Sequence, residues 1–215
     1  MRGQCLSGSS LKVIAMVTMV IDHTACYFVS DGWEYECMRG IGRIAFPIFA
    51  FLIAEGYRHT RRKWDYGRHL LIFAFISEIP WMLLHTDGSH NVLFTLLAGL
   101  CCIAILDKLE NHKILPFLVV LVIALATSVL NTDYGIQGVA LVLMFYLFKD
   151  KPLLQLLFAL PLFYDFHPLG ILASFGLISL YNGERGFIKG SYSKFLFYAF
   201  YPCHLIVIWA LLLVV

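Results

Sequence analysis

A chain of 215 residues that is 60% hydrophobic and only 14% charged lies far outside the range of soluble proteins, in which about 25% of residues are charged. Its mean hydropathy of +0.79 fits a protein folded in lipid, the formal net charge of +2 says nothing about nucleic acid, and no nucleic-acid partner is expected. The fold class that follows is all-α: a polytopic transmembrane helical bundle, one integral-membrane domain over residues 1–215.

A helix needs about 20 mostly apolar residues to span the hydrocarbon core, and fewer when it is packed among neighbours. In chain order the segments that meet this are 11–29, 40–57, 69–85, 92–107, 114–130, 135–148, 152–163, 168–181 and 194–215, predicting about nine transmembrane helices. The first is expected to be a mature helix, since no basic-then-apolar leader precedes Leu11. Segment 152–163 is short and carries Pro152 and Pro161, which also suit a re-entrant piece; its turn-like flanks favour a complete crossing.

Lysine and arginine concentrate on cytoplasmic loops. With the N-terminus cytoplasmic and the C-terminus outside, the inner side holds Arg2, Lys12, Arg58, Arg61, Arg62, Lys63, Arg68, Lys108, Lys113, Lys149, Lys151, Arg185, Lys189 and Lys194. Arg39 and Arg43 fall at the outer end of the second segment, and Asp31, Glu34, Glu36, Asp87, Asp133 and Asp165 line outer loops. The six cysteines show no metal-ligand spacing, and no metal is expected. Only Cys26 and Cys37 are placed to meet near one surface as a disulfide.

Ionisable groups inside the apolar segments carry the chemistry. An aspartate or arginine at a helix centre costs about 2.5–3.5 kcal/mol, so Asp22, Glu78 and Arg43 are expected to face a partner or a wet cavity. Counting from the outer helix ends at about 1.5 Å per residue, His23 lies roughly 9 Å down, Glu78 roughly 10 Å, His204 roughly 16 Å and Arg43 roughly 5 Å, which predicts one shared cavity. Adjacent helix residues do not face each other, so Asp22 is a poor orienter of His23, and Glu78 or His204 is the better partner.

The stretch "AEGYRHTRRKWDYGRH" (54–69) places Arg58, Arg61, Arg62, Lys63 and Arg68 beside Trp64 and Tyr66. Guanidinium forks match phosphate oxygens and an aromatic ring stacks on a base, so a cytosolic nucleotide-like ligand fits; orientation alone also requires a basic inner loop, and anionic membrane lipids bind one equally. Glu55 shares a helix face with Arg58 and His59 and is expected to brace them. Pro80 in "FISEIPW" bends its helix near Glu78, and "YNGERG" (181–186) is a glycine turn able to approach a ligand or to serve as an ordinary loop.

"LKVIAMVTMVIDH", "GRIAFPIFAFLIAEGYRHTR", "LLIFAFISEIP", "NVLFTLLAGL", "DYGIQGVAL", "YNGERG" and "FYAFYPCHL" together resemble the TraX family, whose plasmid-encoded member is an F-pilin N-acetyltransferase, in order from Leu11 to about Leu205. A more distant likeness, to the wider transmembrane acyltransferases, rests on a histidine late in the first helix, arginines entering the third, and Tyr201 to His204. The resemblance implies acetyl transfer from cytosolic acetyl-CoA to an acceptor in or beyond the membrane, a pilin-like peptide amine or an envelope glycan or lipid. It makes His23 the catalytic histidine and general base. Glu78 or Asp22 would fix its tautomer, His204 would stand close by, and Arg43 would steer the acceptor or hold the oxyanion. Arg58, His59, Arg61, Arg62 and Arg68 would hold the coenzyme's phosphates. A covalent acetyl-histidine relay stays open. The rival reading is a small proton-coupled transporter or flippase using Asp22, His23 and Glu78, and a third is a membrane chaperone in which the polar groups only tie helices together.

Overall fold

The computed structural model describes residues 4–164, 167–188 and 191–214, with the side chains of all of these but 191–194. Arg2, Asp165 and Lys189 lie outside the described residues, as does the side chain of Lys194. Among the described residues the chain forms ten helices and no strand.

Helix α1 (Gly8–Phe28) starts at Ser7, whose hydroxyl accepts from the Ser10 amide at 3.2 Å and satisfies one of the donors that every helix start leaves open. The amides of Gly8 and Ser9 go to the carbonyls of Glu184 and Arg185, at 2.8 and 2.9 Å. Gly186, at φ +88°, packs so closely that a Cβ there would collide with the Ser7 side chain. The close approach that the glycine turn allows is therefore made to the chain's own first helix, the ordinary-loop reading of "YNGERG".

Where one helix is expected over 40–57, the structure has two, α2 (Trp33–Gly42) and α3 (Ala45–His59). Pro47 explains the break, because its ring opposes the carbonyl four residues back, at Arg43, and it donates no amide hydrogen. Glu34 and Glu36, expected in an outer loop, instead occupy the first turn of α2, where carboxylates offset the open amides.

The remaining helices follow the apolar segments closely: α4 (Lys63–Leu84), α5 (Val92–Lys108), α6 (Leu115–Val129), α7 (Gly135–Leu147), α8 (Pro152–Leu162), α9 (Pro168–Ser179) and α10 (Ser191–Leu212). Gly8–Phe28, the combined stretch Trp33–His59, Lys63–Leu84 and Phe195–Leu212 are long and apolar enough to cross a membrane. By contrast α8 and α9, with 11 and 12 residues, reach only about 17–18 Å of the roughly 30 Å core. On α4, Ile72, Phe75, Ile76, Ile79 and Met82 form an exposed stripe at helical spacing, and Phe117, Leu118, Leu121, Val122 and Leu125 do so on α6. Stripes of this kind mark a membrane protein, whose surface is solvated by lipid.

The chain divides into two units, Met1–Leu52 with Asp150–Val215, and Ile53–Lys149. In the first, α1 packs on α2 and α10, and α9 on α8 and α2, around Leu11, Ala15 and Ile48. Gly170 permits the α9 approach, since a Cβ there would meet the Gly40 carbonyl and the Arg43 side chain. In the second, α5 packs on α4, α6 and α7 around Cys102, Ala124 and Val139. Cys26 and Cys37, the two cysteines placed to meet near one surface, are both free and exposed.

Candidate functional site: a histidine pair between membrane helices

His23 on α1 and His204 on α10 meet with Nδ1 and Nε2 2.8 Å apart and their rings nearly parallel, 5° between planes. The second contact of His204 fixes the proton positions. Its Nδ1 lies 3.1 Å from the Phe200 carbonyl, which can only accept, so Nδ1 carries a hydrogen. In neutral His204 the Nε2 lone pair then accepts from His23, whose own Nδ1 must be the donor. Neutral His23 is thereby held in the tautomer that puts its lone pair on Nε2. Half-buried His23 is paired with buried His204.

The two histidines meet although their estimated depths differ, and the apparent mismatch has a simple cause. Helix α10 stops at Leu212, short of the chain end from which the depth of His204 is counted. Of the two partners weighed for His23, the structure selects His204. The His204 ring that meets His23 is itself anchored on the Phe200 carbonyl.

Asp22, one residue away, points to a different neighbour. Its Oδ2 accepts from Arg39 Nη1 at 2.8 Å, with both side chains at least four-fifths buried. Gly42 makes room for it, because any Cβ there would collide with the Asp22 carboxylate. Arg43 and His167 also face this carboxylate, so α1, α2 and α9 share one ionic group beside the histidine pair. Arg39 carries no predicted role in the sequence; its position at the outer end of an apolar segment was the available signal.

Glu78 belongs to another cluster, inside the second unit. His90 Nδ1 donates to its Oε1 at 2.5 Å, and Asn91 Nδ2 to its Oε2 at 2.6 Å. Asn91 is also the N-cap of α5, accepting from the Leu93 amide at 3.0 Å, and its side-chain amide reaches the Ala74 carbonyl at 2.9 Å. Backbone bonds run from His90 to Asn131 and from Asp133 to His90. Glu78 thus joins α4 to the start of α5. The capping asparagine ahead of an apolar run was legible in "HNVLF", but its carboxylate partner was not.

The basic stretch separates into two kinds of residue. Arg58 donates to the carbonyls of Phe145 and Tyr146, at 2.7 and 2.6 Å, and to Glu55 at 3.1 Å, so it closes the end of α7. Glu55 also holds His59 at 2.8 Å, as expected of a brace. Arg61, Arg62 and Arg68 are exposed; Arg62 and Arg68 only reach Asp65, at 3.8 and 3.4 Å. Trp64 is 83% exposed, while Tyr66 packs over Gly56. An anionic ligand meets three open guanidinium groups and one open indole. Arg58 is engaged elsewhere, which corrects its assignment to the phosphates.

Beside the pair, α1 and α10 leave a groove of about 280 Å³ lined by Val13, Met16, Val17, Val20, Ile21 and Phe200. Among the described residues no group of three or more histidine, cysteine, aspartate or glutamate side chains is arranged to hold a metal ion.

These features define a helical membrane protein with a hydrogen-bonded imidazole pair set into its helices. The TraX protein family profile matches residues 7–212, and the chain belongs to the TraX family. It is 32% identical over 231 aligned residues to a protein of Dichelobacter nodosus named "Probable fimbrial assembly protein FimC, serogroup H1", with 93% of each chain covered. An uncharacterized protein of Rickettsia prowazekii (strain Madrid E) is 30% identical over 94 residues, covering 43% of this chain and 35% of that one. No solved structure matches the chain.

Proposed function

We propose that this protein is a membrane-embedded acetyltransferase that moves an acetyl group from cytosolic acetyl-CoA to an amine or hydroxyl acceptor in or beyond the membrane. The observation that carries the reading is the bond between His23 and His204, which holds a neutral imidazole with its lone pair on Nε2. Membership of the TraX family supports acetyl transfer, and the fimbrial assembly name of the Dichelobacter relative supports an acceptor handled at the cell envelope.

In the proposed step, His23 Nε2 takes a proton from the acceptor as its nitrogen or oxygen attacks the thioester carbonyl carbon. The new bond to the acetyl carbon forms, the carbon–sulfur bond breaks, and the departing thiolate takes the proton back from His23. His204 supports the transient imidazolium through the Nδ1–H bond, and its own Nδ1–H stays on the Phe200 carbonyl. Asp22 and Arg39 act by holding α2 against α1. Arg61, Arg62 and Arg68 would hold the coenzyme's phosphates, with Trp64 available to stack on its base.

A proton-coupled route through Asp22, His23 and Glu78 draws less support. Asp22 is paired with Arg39 and Glu78 with His90 and Asn91, so neither carboxylate is bonded to His23.

The test uses purified protein with labelled acetyl-CoA. Wild type should hydrolyse or transfer the acetyl group, and His23→Ala should lower the rate about 10²–10⁴-fold at unchanged folded yield. Full activity in His23→Ala overturns the reading.

A further inference from the structure

We infer that His59 is a proton-dependent ligand of an anion site at the turn between α3 and α4, where a phosphate of the coenzyme and one proton bind together. The inference rests on the acetyl-transfer reading for the identity of the anion, and on the side chains of this turn for the proton.

The carboxylate behind the ring decides which nitrogen is left for a ligand. His59 Nε2 lies 2.8 Å from Glu55 Oε1, and a carboxylate only accepts, so Nε2 carries a hydrogen. The other oxygen of Glu55 accepts from Arg58 at 3.1 Å, and Arg58 is itself anchored on the Phe145 and Tyr146 carbonyls. Both oxygens of Glu55 are thus taken, and its side chain is 10% exposed where that of His59 is 63% exposed. A fixed, buried carboxylate presents an open ring, and the nitrogen left for a ligand is Nδ1.

Charge decides what that ligand is. Glu55 offsets Arg58, and Asp107 on α5 accepts from Lys63 at 2.6 Å and from the Tyr57 hydroxyl at 2.8 Å. Asp65 is shared between Arg62 and Arg68, at 3.8 and 3.4 Å. With Arg61, five cations stand against three carboxylates, a surplus of two positive charges that favours an anion. Arg61 and Arg62 follow His59 by two and three residues, so their Cα atoms lie within about 8 and 11 Å of its own. One phosphate can therefore bridge a guanidinium group and the ring.

Counting donors then brings in the proton. With Nε2–H on Glu55, a neutral His59 offers only a lone pair at Nδ1, which repels an anion; the ring donates from Nδ1 only as the imidazolium. Imidazoles change charge between about pH 5 and 8, and a phosphate on one side with a carboxylate on the other both favour the charged ring. Wherever the unliganded ring is neutral, phosphate binding draws a proton from solvent. The arginines carry no such linkage, because they stay charged throughout. His69, in the second turn of α4, is the other histidine of this edge and supplies the control.

The experiment titrates the full chain, held in phosphatidylcholine nanodiscs, with coenzyme A by calorimetry from about pH 6 to about pH 8, in buffers of different ionisation enthalpy. Affinity should fall about tenfold across this range, as the loss of a hydrogen bond between charged groups predicts, and at the upper end the heats should report proton uptake on binding. His59→Gln keeps an N–H for Glu55 but has no second protonation state, so it should lose the uptake and flatten the pH dependence at an unchanged unfolding midpoint. His69→Gln should match wild type. Equal uptake and equal pH dependence in wild type and His59→Gln would overturn the inference. The linkage should also persist in discs containing phosphatidylglycerol; its loss there would assign the site to lipid headgroups and overturn the coenzyme as occupant. Proton-linked binding with no acetyl transfer would remove the acetyl-transfer reading alone, and transfer with binding that takes up no proton would remove this inference alone.

Discussion

His23 and His90 are each held through Nδ1, and by chemically different partners. His23 donates to a neutral imidazole that is itself anchored on a backbone carbonyl. His90 is held by the Glu78 carboxylate, whose other oxygen is taken by Asn91. In the second arrangement carboxylate, ring and capping amide staple α4 to α5, and backbone bonds to Asn131 and Asp133 tie the same turn to the segment between α6 and α7. The first joins α1 to α10 through a half-buried ring. A carboxylate beside a histidine can thus be a purely structural arrangement. The staple should govern stability and the pair should govern rate, and variants can separate the two.

The largest effect on stability is expected from the ionic pair beside His23. Asp22→Ala or Arg39→Ala leaves a mostly buried charge without its partner and should cost about 3–5 kcal/mol, read as a lower unfolding midpoint in detergent. Asp22→Leu combined with Arg39→Met should recover most of that loss. Next, His204→Ala should slow acetyl transfer about 100-fold with little change in unfolding. His204→Gln should restore part of the rate, because a side-chain carbonyl can again accept from His23 Nδ1.

The staple should behave in the opposite way. His90→Ala removes a charge-assisted bond from a carboxylate that keeps its Asn91 contacts, so about 1–2 kcal/mol of stability should disappear while the transfer rate per folded molecule is unchanged. A rate loss as large as that of His204→Ala would erase the distinction between the two regions. The smallest effect concerns the coenzyme: Arg61→Ala with Arg62→Ala should weaken its binding several-fold and flatten the salt dependence, as loss of exposed charges does. Arg58→Ala should instead lower stability through the end of α7, with little change in affinity.

How far these regions could be read from the sequence follows from what a sequence encodes. Composition placed most helices to within a few residues, because lipid demands apolar runs, but α2 and α4 begin at Trp33 and Lys63, ahead of the runs at 40 and 69. Depth along a helix was also readable, and it put His23 and His204 among the same few candidates. Direction around the helix axis was not. Asp22 turns to Arg39, Glu78 to His90, and Arg58 to the carbonyls of α7, each pairing set by how helices pack and not by position along them. The break ahead of Pro47 had a visible cause, but it was hidden because 40–57 reads as one apolar run. In the basic stretch, positive charge marked five residues alike, and only packing divided the structural Arg58 from the open Arg61 and Arg62.

The central claim is that His23 Nε2 takes a proton from the acceptor. It is tested most directly by assaying His23→Ala for acetyl transfer in the presence and absence of free imidazole. The account predicts a nearly inactive variant whose rate rises with imidazole concentration, while wild type does not respond. A His23→Ala protein as fast as wild type without any added imidazole would contradict it.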